Sequence, residues 1–120
     1  MHVDQFEMRL AIVRHRFATT LGSKIEDALI SANQMSKGDA GVNKRIAESY
    51  RSLHGICGIG PTVGFCSTGE AAHFAEAALM PANRERRGLT EREVLNLKKA
   101  LEHLRVVAAS ELRMMYQRGG

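Results

Sequence analysis

The sequence predicts an all-α protein, an antiparallel up-and-down four-helix bundle with an additional N-terminal helical segment. Apolar residues recur at spacings of three and four along most of the chain, which is the period of amphipathic helices. No alternating strand pattern of comparable strength is present. Short loops between long helical segments favour antiparallel neighbours. The 120 residues fit one domain, residues 1–120, and the scarcity of aromatic side chains leaves an aliphatic core that suits packed helices.

The first helical segment covers residues 4–34. Gly22 and Ser23 lie in its middle, so that one long helix and two shorter ones both remain open. The loop that follows, residues 35–41, contains two glycines. The apolar face of the segment consists of Phe6, Leu10, Val13, Phe17, Leu21, Ile25, Ala28 and Ala32.

The second helix is predicted to begin near Val42 and to run past His54. Pro61 has no amide hydrogen to donate to the carbonyl one turn earlier, so the helix should end or kink before it. Its buried side is predicted to consist of Ile46, Tyr50, Leu53 and either Ile56 or Cys57.

The third helix is predicted from Thr68 to about Met80, with Ser67 as its cap and Glu70 in the capping-box position. Pro81 and residues 83–88 are interpreted as a loop. The fourth helix follows Thr90, which forms a capping box with Glu93. Its apolar face consists of Val94, Leu97, Leu101, Leu104, Ala108, Leu112 and Met115.

Composition and charge favour some classes of protein over others. The net charge is +4, but basic residues alternate with glutamates, so we expect a solvated surface and no nucleic-acid partner. A small basic helical nucleic-acid binder stays open as a third hypothesis, which rests on the charge alone. No apolar run is long enough to span a membrane, and residues 1–4 do not resemble a secretory signal, which favours a cytoplasmic location. Cys57 and Cys66 are too far apart for a compact zinc motif, and we expect no disulfide between them in a reducing compartment.

The segment around His54 carries the chemically informative pattern. If Leu53 and Ile56 face the core, His54 lies at the edge of that face and turns outward. Gly55 is adjacent and Gly58 lies one turn later. Each glycine inside a helix lowers its stability by about 1 kcal/mol relative to alanine, so two of them here need an explanation. Two glycines beside one histidine indicate clearance for a phosphoryl group and for a partner. A neutral imidazole is a suitable nucleophile, whereas a purely structural histidine is the alternative.

His54, Ile56, Gly58 and Gly64-Phe65 together resemble the signature of histidine-containing phosphotransfer (HPt) domains. The similarity extends over roughly residues 6–80. The resemblance implies a phosphoprotein in which His54, exposed midway along a helix, relays a phosphoryl group between receiver-domain aspartates of a two-component phosphorelay. It implies a carrier without autonomous enzymatic turnover and without a metal or cofactor. The implied partners are receiver domains of response regulators or hybrid histidine kinases. We expect a monomer, and a dimer stays open as the alternative.

The sequence departs from this family at two positions. The family often has a lysine three residues after the histidine, where this chain has Cys57, and Pro61 falls inside the family's helix. Arg51, one turn before His54, is a candidate for the missing positive charge. We therefore place Arg51, Gly55, Cys57 and Gly58 in the phosphoryl and receiver-docking environment. The missing lysine leaves a second hypothesis, a receiver-binding adaptor or decoy that is not phosphorylated.

The other histidines are expected to face solvent, without a carboxylate or cysteine at ligand spacing. They are His2, His15, His73 and His103.

Overall fold

The computed structural model describes residues 4–118, which form four α-helices and one short 3₁₀ helix. This confirms the all-α prediction, and no strand occurs between residues 4 and 118. Within that range no helix is both long and apolar enough to cross a membrane. The helices are α1 (Gln5–Ala32), α2 (Val42–Ile59), α3 (Cys66–Glu85) and α4 (Glu91–Gln117), with the 3₁₀ helix at Pro61–Val63.

The four helices pack as a bundle that measures 59 × 24 × 19 Å. Helix α2 packs against α3, α3 against α4, and α1 mainly against α4. The 3₁₀ helix contacts α1, α2 and α3. The antiparallel up-and-down order of the helices stays a prediction.

Helix α1 continues without a break through Gly22 and Ser23, so the additional N-terminal segment is the first half of this helix. The Asp4 side chain caps it by accepting a hydrogen bond from the amide of Phe6 at 3.1 Å. The buried residues of α1 begin only at Phe17, and Phe6 and Val13 are exposed. The predicted apolar face is therefore correct for the second half of α1 and wrong for Phe6 and Val13, because the neighbouring helices do not cover them.

Helix α2 ends at Ile59, and Pro61 begins the 3₁₀ helix, as the missing amide hydrogen predicts. The chain is tightly packed here. A Cβ atom on Gly60 would lie 2.8 Å from the carbonyl oxygen of Ile56, and one on Gly69 would lie 2.7 Å from Cδ of Pro61. These two glycines let the end of α2 approach the start of α3.

The predicted start of α3 is wrong. The helix begins at Cys66, so Ser67 lies inside its first turn and does not cap it with Glu70. The free amide of Thr68 instead donates to Oε1 of Glu111 on α4 at 2.6 Å, and the Thr68 hydroxyl contacts the same oxygen at 2.6 Å. A side chain from a distant helix therefore satisfies this end of α3, which a local cap pattern does not reveal.

The predicted end of α3 is also wrong, because Pro81 lies inside the helix and the helix continues to Glu85. Leu79 and Ala82 are fully buried on either side, whereas Pro81 is exposed. Burial of these neighbours stabilises the helical path despite the hydrogen bond that proline cannot donate.

Helix α4 confirms its prediction. Thr90 and Glu93 form the reciprocal capping box, and Arg87 adds two hydrogen bonds to the Glu93 carboxylate at 2.7 and 3.1 Å. All predicted apolar positions are buried or half-buried, namely Val94, Leu97, Leu101, Leu104, Ala108, Leu112 and Met115.

Candidate functional site

His54 lies on α2, at the edge of the face that packs into the core. Its side chain is 69% exposed, whereas the neighbouring Leu53 and Ile56 are fully buried. This placement confirms the expectation that two core residues turn the imidazole outward. His54 is therefore accessible to a partner while its backbone is held by a buried helix face.

A buried carboxylate from α3 contacts this exposed imidazole. Oε1 of Glu76 lies 2.6 Å from Nδ1 of His54, and the Glu76 side chain is only 5% exposed. Among residues 4–118 its ion-pair partners are His54 and His73, with no lysine or arginine. Burying a carboxylate without a permanent cation is costly, and such an arrangement is typical of functional sites.

The contact with Glu76 determines which imidazole nitrogen is free. An ionised carboxylate only accepts hydrogen bonds, so Nδ1 of His54 carries the hydrogen and donates it to Glu76. In the neutral imidazole the lone pair then lies on Nε2. With Nδ1 turned towards Glu76, Nε2 is the ring nitrogen of His54 that remains free for contacts outside the chain.

Tyr50 and Cys57 complete the surroundings of Glu76. The Tyr50 ring stacks on the His54 ring, with centroids 6.1 Å apart and planes inclined by 9°, which restricts rotation of the imidazole. Burial, followed by the nearby Glu76 carboxylate, raises the pKa of Tyr50, and the charge of Arg84 partly opposes this. Burial and then the charge of Glu76 also raise the pKa of the Cys57 thiol. Both groups therefore stay neutral near neutral pH.

Packing among residues 4–118 does not require the two glycines beside His54. A Cβ atom on Gly55 or on Gly58 would meet nothing within 4 Å, and Gly58 is exposed. The surface beside His54 is therefore open, as the clearance hypothesis requires. The glycines Gly60 and Gly69, by contrast, are required by packing.

Positive charge lies along the α2–α3 surface. Arg51 is exposed and lines an open groove together with Lys44 of α2 and Arg86, which follows α3. Arg84 on α3 acts on Tyr50, a neighbour of His54. The sequence singled out Arg51 but not Arg84, because only the packing of α2 against α3 brings Arg84 towards this site.

The surroundings of His73 differ from those predicted from the sequence. It faces solvent as expected, but Cys57 of α2 and Glu76, one turn after His73 on α3, both lie beside it. The interpretation that it has no cysteine or carboxylate at ligand spacing is wrong. Helix packing joins residues that are distant in sequence, and the spacing from His73 to Glu76 was the local signal available. His15 and His103 are exposed as predicted, and His2 lies outside the described residues.

No known protein family, curated protein or solved structure matches this chain.

Proposed function

We propose that this protein is a histidine phosphotransfer carrier that accepts a phosphoryl group on Nε2 of His54 and passes it on within a cytoplasmic two-component phosphorelay. One observation carries the proposal. The exposed His54 contacts the buried Glu76 through Nδ1 at 2.6 Å, so that Nε2 is the ring nitrogen left free for a phosphoryl group. The open surface at Gly55 and Gly58 supports the same assignment.

The proposed reaction begins with an aspartyl phosphate on a receiver domain. Nε2 of His54 attacks the phosphorus, the N–P bond forms, and the acyl P–O bond breaks to release the aspartate carboxylate. No proton has to leave Nε2, because the hydrogen of the neutral ring is on Nδ1. The positive charge that develops on the ring is stabilised by Glu76, and the same steps in reverse transfer the group onward.

The partners of this reaction are receiver domains of response regulators or hybrid histidine kinases, with a monomeric carrier. The phosphorylated face of a receiver is negatively charged. The groove formed by Lys44, Arg51 and Arg86 offers a complementary surface on the same pair of helices as His54. We assign Arg51 to docking, because it is exposed and one helical turn from the acceptor. Cys57 stands where the family often has a lysine and is neutral. In this proposal the arginines therefore supply the positive charge for docking.

The test follows labelled phosphate from a panel of phosphorylated receiver domains onto the purified protein. We expect label that is lost in mild acid and survives base, as a phosphoramidate does. His54→Gln should abolish labelling, because the amide has no comparable nucleophile. The matched control, His103→Gln, changes another exposed histidine and should label normally.

Two outcomes would contradict the proposal. Acid-labile label that persists on His54→Gln would move the acceptor to another residue. A wild-type protein that binds a receiver tightly but takes no label would be an adaptor or decoy with this fold. Circular dichroism of each variant checks that loss of label does not result from unfolding.

A further inference from the structure

Three different metal-ligand types converge on the surface between α2 and α3. They are the thiol of Cys57, the imidazole of His73 and the carboxylate of Glu76, and their ligand atoms all lie within 4.8 Å of one another. Glu76 is buried, Cys57 is half-buried and His73 is exposed. Sulfur, imidazole nitrogen and carboxylate oxygen are the donors from which zinc sites are built.

Glu76 has a second carboxylate oxygen besides the one that contacts His54. Oε1 is engaged by His54 at 2.6 Å, whereas Oε2 lies 4.0 Å from Nδ1 of His73, beyond hydrogen-bonding distance. The carboxylate is held by a buried stretch of α3 and its second oxygen lies next to the Cys57–His73 pair. A cation at this point would balance the negative charge of the buried Glu76 carboxylate, which has no lysine or arginine partner among residues 4–118.

We propose that Cys57, His73 and Glu76 form a binding site for Zn²⁺, with a fourth position open to water on the solvent side. Tetrahedral zinc with bonds of about 2.0–2.3 Å holds its ligand atoms roughly 3.2–3.8 Å apart, so the cluster must contract by about 1 Å. His73 can supply this movement, because its side chain is 64% exposed and free of the core. Binding replaces the thiol hydrogen of Cys57 with the metal and releases that proton to solvent.

This site goes beyond the proposed phosphotransfer, and its test requires neither phosphate nor a receiver. Co²⁺ serves as the spectroscopic probe on the reduced protein, with a reductant that contains no thiol. We expect one equivalent of Co²⁺ to give a thiolate-to-cobalt charge-transfer band together with the visible absorption of tetrahedral cobalt. Added Zn²⁺ should remove both signals by displacement.

The chain provides a matched control for the cysteine. Cys57→Ser should eliminate the charge-transfer band and weaken Zn²⁺ binding at least about 100-fold, since even outer-sphere partners contribute up to that factor. Cys66→Ser changes the other free cysteine, which is exposed and outside the cluster, and should bind metal as the wild type does. His73→Gln should weaken binding, and His103→Gln should not.

Three outcomes would overturn the proposal. They are a wild-type Co²⁺ complex without a thiolate band, equal loss of binding in Cys66→Ser, and unchanged Zn²⁺ affinity in Cys57→Ser. Circular dichroism of the metal-free variants shows whether any loss of binding reflects unfolding. Because His54 takes no part in this measurement, a failed zinc test leaves the phosphotransfer proposal intact, and the reverse also holds.

Discussion

Gly58 and Gly60 are separated by one residue, yet the physical reason for a glycine differs between the two positions. A Cβ atom on Gly60 would overlap the carbonyl oxygen of Ile56, so packing within the chain requires a glycine there. At Gly58 the same atom would meet open space. Glycine inside a helix costs about 1 kcal/mol relative to alanine. At Gly58 no contact among residues 4–118 offsets that cost. The clearance hypothesis explains the glycine by a partner that approaches this surface.

Replacement of Gly58 by glutamine should separate stability from function. We expect Gly58→Gln to raise the free energy of unfolding by about 0.5 kcal/mol, because glutamine favours a helix and the site is open. Phosphoryl transfer to His54 should nevertheless slow at least about tenfold, the equivalent of about 1.4 kcal/mol, because the new side chain lies one turn from the acceptor. Urea denaturation and the rate of labelling by a phosphorylated receiver measure the two effects.

Gly22→Gln is the matched control, since Gly22 is also an open glycine within a long helix, but on α1. It should produce the same gain in stability with no change in transfer. Equal transfer rates for the two variants would refute the clearance hypothesis.

The candidate site was only partly predictable at this scale. The exposure of His54 follows from its buried neighbours Leu53 and Ile56, which share one local helix. Glu76 was not among the site residues predicted from the sequence, because its approach to His54 depends on how α2 packs against α3. The charged residue between the buried positions Ala72 and Leu79 was the one local signal of a buried carboxylate.

At the scale of elements, local capping signals succeeded for α4 and failed for α3. Thr90 and Glu93 satisfy each other within four residues, so sequence alone identifies that helix start. The start of α3 depends on Glu111 from α4, and its end passes through Pro81 because neighbouring side chains are buried. Helix existence was therefore predictable from periodicity, whereas boundaries stabilised by tertiary contacts were not.

The capping box of α4 should give the protein a defined acid sensitivity. Hydrogen bonding to Arg87 lowers the pKa of Glu93 from 4.5 to about 2, with burial opposing and Thr90 assisting this shift. The folded-state pKa is below the unfolded value, so the ionised Glu93 stabilises the fold above pH 4.5. This contribution is lost as the pH falls from 4.5 towards 2. Glu93→Gln should lower the unfolding free energy by about 1 kcal/mol at neutral pH.

Urea denaturation over a series of pH values measures this effect. The difference between Glu93→Gln and the wild type should shrink as the pH approaches 2. Glu91→Gln, an exposed position in the same first turn, is the control and should change stability less. A difference that stays constant down to the acid limit would show that Glu93 acts through packing rather than charge.

At the scale of the whole molecule, the loop before α2 and the loop before α4 are joined. The amide of Leu89 donates to the carbonyl of Met35 at 2.7 Å, and both side chains are buried. A Cβ atom on Gly88 would lie 2.5 Å from the backbone of Lys37. The sequence predicted the first loop from its glycines and placed the second at Pro81 and residues 83–88, too early because α3 continues to Glu85. It did not predict their pairing, because no local pattern links segments so far apart along the chain.

Gly88→Ala should therefore destabilise the whole bundle. The added methyl group meets backbone rather than a movable side chain, so we expect a loss of about 1–3 kcal/mol in unfolding free energy. Gly22→Ala, at an open helical position, should instead stabilise the protein. Thermal or urea denaturation distinguishes the two, and a neutral Gly88→Ala would mean that the loops separate easily.

The junction between the loops also affects how the protein opens in solution. Loop amides usually exchange their hydrogens with water quickly, because they are exposed and weakly bonded. The Leu89 amide lies outside any helix but is hydrogen-bonded in a buried setting. Its hydrogen can exchange only when segments from both halves of the chain separate. We therefore expect this loop amide to exchange as slowly as amides of the buried helices, with an exchange rate that reports how often the two loops separate.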